Sequence, residues 1–190
     1  MLGLKSIQRR KLFFLFIFCL VASSSFAETS GSGKGGPFIQ YHSNSVGRFD
    51  GDMKGNPVVV GGVGFGYSTK NFRLGGAGGA GFLWGSSNNV QFGLGYGGVV
   101  GDLSLASWLS ARLLIGGGGY SVAKIADQTI IAQTLSKLNS GGFVLFHPAL
   151  NADIPLSNMM KLGFSFGYFL PNIGELQSFT LTTSLTFGRN

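Results

Sequence analysis

The stretch Met160-Lys161-Leu162-Gly163-Phe164-Ser165-Phe166-Gly167-Tyr168-Phe169-Leu170 alternates without a break. Met160, Leu162, Phe164, Phe166, Tyr168 and Leu170 fall on one face, and Lys161, Gly163, Ser165, Gly167 and Phe169 fall on the other. A repeat of two is the period of a strand, not of a helix. The last segment has the same form, with Phe179, Leu181, Thr183, Leu185 and Phe187 set against Ser178, Thr180, Thr182, Ser184 and Thr186. Strands that are greasy on one side and small or polar on the other suit a closed barrel with lipid outside and a polar or tightly filled interior.

Working outward, the pattern predicts eight strands: Pro37 to Ser45, Pro57 to Thr69, Phe72 to Trp84, Val90 to Val100, Ala106 to Tyr120, Gly142 to Asn151, Asn158 to Leu170 and Ser178 to Gly188. Several reach the roughly 9–11 residues that a tilted strand needs to cross a bilayer. In the fourth, Val90, Phe92, Leu94, Tyr96 and Val100 read as the greasy face and Gln91, Gly93, Gly95, Gly97 and Val99 as its opposite. In the fifth, Leu109, Ala111, Leu113 and Ile115 oppose Ser110, Arg112 and Leu114. With an even strand count both termini share one side, and the connections on that side are the short ones, Lys70-Asn71, Gly101 to Leu105 and Ala152 to Ser157. The longest connection contains Ile125 to Leu138, whose apolar residues fall at helical spacing, so a short amphipathic helix is expected there. The expected fold class is therefore all-β, an eight-stranded antiparallel up-and-down barrel with one short helix.

The N-terminus reads as an export signal. Lys5, Arg9, Arg10 and Lys11 precede the apolar run Leu12 to Ala22, and Ser25-Phe26-Ala27 offers small residues for cleavage. The run is short for a transmembrane helix, although a retained anchor is the alternative. The expected division is signal 1–27, a flexible polar leader 28–36 and a barrel domain 37–190. Cys19, the one cysteine, leaves with the signal, so the mature chain has no disulfide and no thiolate nucleophile. Four of the 14 basic residues leave as well; ten remain against seven acids, a net charge of +3 that is too mild to argue for nucleic acid.

Glycine runs sit inside the predicted strands, at 61–66, 75–81 and 116–119. Interior strand glycine is costly unless the backbone is approached closely or the sheet bends, and a small barrel gives reason for such residues to face inward. Gly76 to Gly81 and Gly93 to Gly98 approach a dinucleotide fingerprint, but neither opens a helix after a strand. The blocks GGVGFGYSTKNFRLGGAGGAG (Gly61 to Gly81), FGLGYGGVV (Phe92 to Val100) and LLIGGGG (Leu113 to Gly119), with Phe187-Gly188, resemble an uncharacterised family of glycine-rich bacterial proteins. That resemblance covers most of the mature chain and implies no catalytic residue and no ligand. In general design the chain is also similar to small bacterial outer-membrane β-barrels. Such barrels commonly end on an aromatic residue, whereas Gly188-Arg189-Asn190 follow Phe187 here. Thr180, Leu185 and Phe187 resemble that class's C-terminal assembly signal, with Thr182 where glycine is usual, which implies the barrel-assembly machinery as a partner.

Candidate chemistry is sparse. No carboxylate pair or metal cluster stands out by spacing, and no cofactor is expected. Tyr41-His42-Ser43-Asn44 resembles the His and Ser of outer-membrane lipid A deacylases, whose motif has one residue between them. Adjacent His42 and Ser43 point to opposite faces of a strand, which argues against a base and nucleophile pair. Arg73, Arg112 and Lys161 each fall opposite the greasy face, with no acid at a matching strand position, so a small anion-attracting lumen is one reading and charges solvated near the rims the other. Trp84 fits an interfacial belt at the end of its strand; Trp108 fits less well. The expectation is an outer-membrane barrel in contact with lipid, with a structural or binding role and at most a narrow pore. The alternatives are a soluble periplasmic β-sheet protein whose greasy faces pack together and a membrane-embedded lipid A-modifying hydrolase.

Overall fold

Eight antiparallel strands close on themselves in the computed structural model, which describes residues 33–43, 56–84, 90–126 and 134–188. They are β1 (Lys34–Ser43), β2 (Asn56–Ser68), β3 (Phe72–Trp84), β4 (Val90–Ser104), β5 (Leu109–Ala126), β6 (Thr134–Ser157), β7 (Met160–Pro171) and β8 (Ser178–Phe187). Each pairs with its chain neighbours, and β1 meets β8 through pairs such as Phe38 with Ser184 and His42 with Thr180, so no edge is left around the wall. The soluble alternative required two greasy faces packed on one another; a single closed sheet has no second layer to supply that.

Alternation dictates which side chains enter the barrel. On β7, Gly163, Ser165, Gly167 and Phe169 are buried while Phe164 and Phe166 are exposed, as the sequence pattern predicts. On β4 the expectation is reversed. Phe92, Leu94, Tyr96 and Val100 are buried inside the barrel, and the glycine face, with Val99 and Leu103, points outward. The reason lies in the neighbours, because β3 and β5 present inward glycines that leave room for β4's large side chains. Gly98 and Gly116 are register partners. A Cβ on Gly98 would come within 2.6 Å of the Gly116 Cα and collide with the Ile115 carbonyl. A Cβ on Gly118 would lie 2.6 Å from the Phe143 ring. Glycine is therefore not confined to the inner face: Gly64, Gly66 and Gly76 point outward, where a Cβ would meet no close neighbour.

The expected helix is corrected as well. Ile125 and Ala126 belong to β5 and Thr134 to Leu138 to β6, paired as Ile125 with Leu135 and Ala126 with Thr134 across a bulge at Val122/Ala123. Residues 127–133 lie outside the described residues. Apolar residues at helical spacing lost here to continuation of a ladder already running below them. The described residues contain one 3-10 turn, Gly174–Leu176, between β7 and β8. Leu176 is buried and, with Ile173 packed on the core, covers that end of the interior. At the end carrying both termini the connections are short, residues 69–71, 105–108 and 158–159. β1 starts at Lys34, so three residues of the expected leader pair with Val63 to Phe65 of β2; the expected signal lies outside the described residues.

The interior is filled. Phe169 of β7 touches the rings of His42 on β1, Tyr96 on β4 and Phe143 and His147 on β6, with centroids 4.9 to 5.9 Å apart. One aromatic cluster thus bridges the cross-section, as an eight-stranded barrel just wide enough for side chains allows.

Candidate functional site

Two polar groups of side chains share this interior. The upper one is a closed hydrogen-bond network beside Phe169. His42 bonds through Nδ1 to Ser178 Oγ at 3.0 Å and through Nε2 to Gln40 Oε1 at 3.1 Å, and the Tyr96 hydroxyl donates to the same Gln40 oxygen. Gln40 Nε2 donates to Thr182 Oγ1 at 3.1 Å, and His147 Nε2 pairs with Thr180 Oγ1 at 2.9 Å. The partner of His42 is Ser178, 136 residues away in sequence, and not the adjacent Ser43, which donates to the Phe179 carbonyl outside. His42 and Ser178 are 1% and 3% exposed, so the pair has the elements of a base and a nucleophile with no approach for a substrate. Its role is to satisfy polar groups that the barrel wall buries.

The lower group opens to solvent at the end carrying the termini. Arg73 on β3, Asp102 on β4 and Arg112 on β5 are adjacent register partners. Asp102 Oδ2 accepts from Arg73 Nη2 at 2.8 Å and from Arg112 Nη2 and Nε at 2.9 and 3.3 Å. Asp102 is fully buried, whereas the two guanidinium side chains keep 12% and 15% exposure. The Phe65 ring roofs the group, 4.9 Å from the Arg73 guanidinium and 5.7 Å from that of Arg112, and separates it from the apolar interior. Asp153, held by Asn151 Nδ2 at 2.6 Å, lies 3.7 Å from Arg73.

This placement corrects the premise that no acid matches the strand arginines. Asp102 was assigned to a connection from Gly101 to Leu105, but β4 runs on to Ser104 and turns Asp102 inward between the two cations. The only sequence signal was its alternation with Val100, extended by one step. Lys161, the third sequence-derived candidate, lies on the inner face of β7 and lines a cavity of about 350 Å3 with Lys34, Lys70, Arg73 and Asp153. Arg112 stands behind that lining, in contact with Asp102. Trp108, in the connection between β4 and β5, is exposed at the cavity rim and accepts the Asp153 backbone N–H on its carbonyl at 2.8 Å. The side chain of Trp84 lies outside the described residues. Among the described residues no group of three metal-ligating side chains occurs.

No protein-family model matches the sequence, and no curated protein matches it. Solved structures do share its fold. The N-terminal β-barrel domain of Pseudomonas aeruginosa OprF superposes with a TM-score of 0.51 at 10% identity, covering 85% of this chain and 99% of that one. Neisserial surface protein A superposes with a TM-score of 0.50 at 11% identity, covering 83% of this chain and 97% of the other. At such identity the likeness speaks for the architecture: this chain has the fold of small eight-stranded bacterial β-barrels.

Proposed function

We propose that the protein is a small outer-membrane β-barrel with a structural or binding role, its termini in the periplasm and its interior closed to free passage. One observation carries this reading. From Ile39 and Tyr41 on β1 round to Phe179, Leu181 and Leu185 on β8, no charged residue stands at an outward strand position among those whose side chains are described. Among the described residues 22 large hydrophobic side chains are exposed, against 14 hydrophobic ones buried. Water would penalise such a surface, at roughly 25 cal/mol for each Å2 of apolar area left wet. A bilayer would not. Even the ten-residue strands reach about 23 Å along the membrane normal at a 45° tilt, close to the apolar band of ~25 Å typical of such barrels.

Short connections at the end carrying the termini and longer ones at the other support the periplasmic placement of the termini. The aromatic cluster around Phe169 supports a filled interior. Insertion would run through the barrel-assembly machinery, which the closing strand β8, ending at Phe187, would engage. The burial of His42 and Ser178 weighs against the hydrolase alternative. Fractionation tests the reading: the mature protein should sediment with outer-membrane fractions, resist carbonate extraction and run faster on gels unheated than boiled. Recovery as a monodisperse soluble protein without detergent would refute it.

A further inference from the structure

We propose that the cavity at the end carrying the termini is a binding site for a phosphate-class oxyanion, free phosphate or a small phosphomonoester, reached from the periplasm. The periplasmic access rests on the orientation proposed above; the site itself does not. Its volume, about 350 Å3, falls within the range of small-molecule pockets, roughly 300–1,000 Å3. Four cations line it, Lys34, Lys70, Arg73 and Lys161, against the single acid Asp153. Behind the lining Arg112 and Asp102 cancel, so the excess of three positive charges is directed at the cavity.

The donors converge from strands around the barrel: Lys34 from β1, Arg73 from β3, Ser110 from β5 and Lys161 from β7. Arg73 Nε and Ser110 Oγ are buried and have no hydrogen-bond partner, and the side chain of Lys161 makes no hydrogen bond or ion pair among the described residues. Donors on several sides suit a tetrahedral anion with acceptors in every direction better than a halide. Asp102 Oδ1 and Asn151 Oδ1 also lack partners, but neither residue lines the cavity.

The test is calorimetric titration of the mature protein in lipid nanodiscs, at fixed ionic strength, with inorganic phosphate, glycerol 3-phosphate and chloride in turn. Saturable binding of either phosphate but not of chloride is expected, with a change in Trp108 fluorescence. Phosphate alone identifies the free ion as ligand; tighter glycerol phosphate identifies a monoester. Lys161→Gln should weaken binding about fivefold or more and Lys161→Arg should retain it. Lys70→Gln, in an exposed turn, gives a second reading with no risk to the barrel interior. No saturable heat beyond that of chloride, or an affinity unchanged from the parent in both glutamine variants, overturns the site. Orientation is read separately by a Ser107→Cys variant of the cysteine-free mature chain. An impermeant maleimide should label it only after the outer membrane is permeabilised; labelling in intact cells overturns periplasmic access and the proposed topology while the nanodisc titration still judges the site.

Discussion

Replacing Asp102 with Asn removes the one charge that holds two guanidinium groups inside the barrel, and its cost can be worked from the geometry. Asp102 Oδ2 receives three N–H bonds from Arg73 and Arg112, and the carboxylate is fully buried. Deleting one partner of a buried ion pair costs roughly 3–5 kcal/mol because the remaining charge stays desolvated. Here the guanidinium side chains keep 12% and 15% exposure, and Arg73 retains Asp153 at 3.7 Å. The amide oxygen of Asn can also still accept. The expected loss is therefore at the low end, about 3 kcal/mol. Urea unfolding from lipid vesicles, followed by tryptophan fluorescence and by heat-dependent gel mobility, gives the stability directly. Adding Arg112→Gln to Asp102→Asn should recover part of the loss, since one of the orphaned charges goes too, with a coupling of about 1–3 kcal/mol. An Asp102→Asn barrel within about 0.5 kcal/mol of the parent, or strictly additive single and double variants, would show that water at the rim already neutralises the cluster.

The outward face supplies a second prediction: Phe166→Arg or Ile115→Arg should cost about 2–4 kcal/mol when folding is measured into bilayers, the penalty for a cation near the midplane. Both positions are exposed and flanked by apolar neighbours across the ladder, Leu181 for Phe166 and Val99 for Ile115. Glycine supplies a third. Gly98→Ala, which drives a methyl into the Gly116 backbone, should destabilise by about 1–3 kcal/mol, whereas Gly64→Ala, which meets nothing within 4 Å, should be close to neutral in the same urea titration. Tyr96→Phe keeps the ring and strips one donor from buried Gln40, whose oxygen retains His42 Nε2, and should cost about 0.5–1.5 kcal/mol in the same urea titration. Planar-bilayer recording should find no steady conductance in the parent, and Phe169→Ala, which empties the centre of the aromatic cluster, is the variant in which leak should first appear.

The number of strands, their antiparallel order and the asymmetry of the connections were legible because each strand is a short run whose alternation is a local property. Lys161 and Arg112 were placed on inner faces for the same reason. Asp102 was missed because strand ends carry no mark in sequence: β4 continues four residues past Val100 only because β3 and β5 offer partners there. Ser178 was missed because its bond to His42 joins the two ends of the chain.

By itself the sequence determined that these segments are strands with one apolar and one small or polar face, since a side-chain period of two depends on nothing beyond neighbouring residues. It could not determine which face of β4 looks inward, because one face is bulky and apolar and the other is glycine, and either tolerates lipid. Tertiary closure decided that. The inward glycines of β3 and β5 leave a volume that Phe92, Leu94 and Tyr96 fill. The same closure brings Arg73, Asp102 and Arg112 into one row and sets Lys34 and Lys161 around one cavity, because only a sheet joined edge to edge places the first strand beside the last.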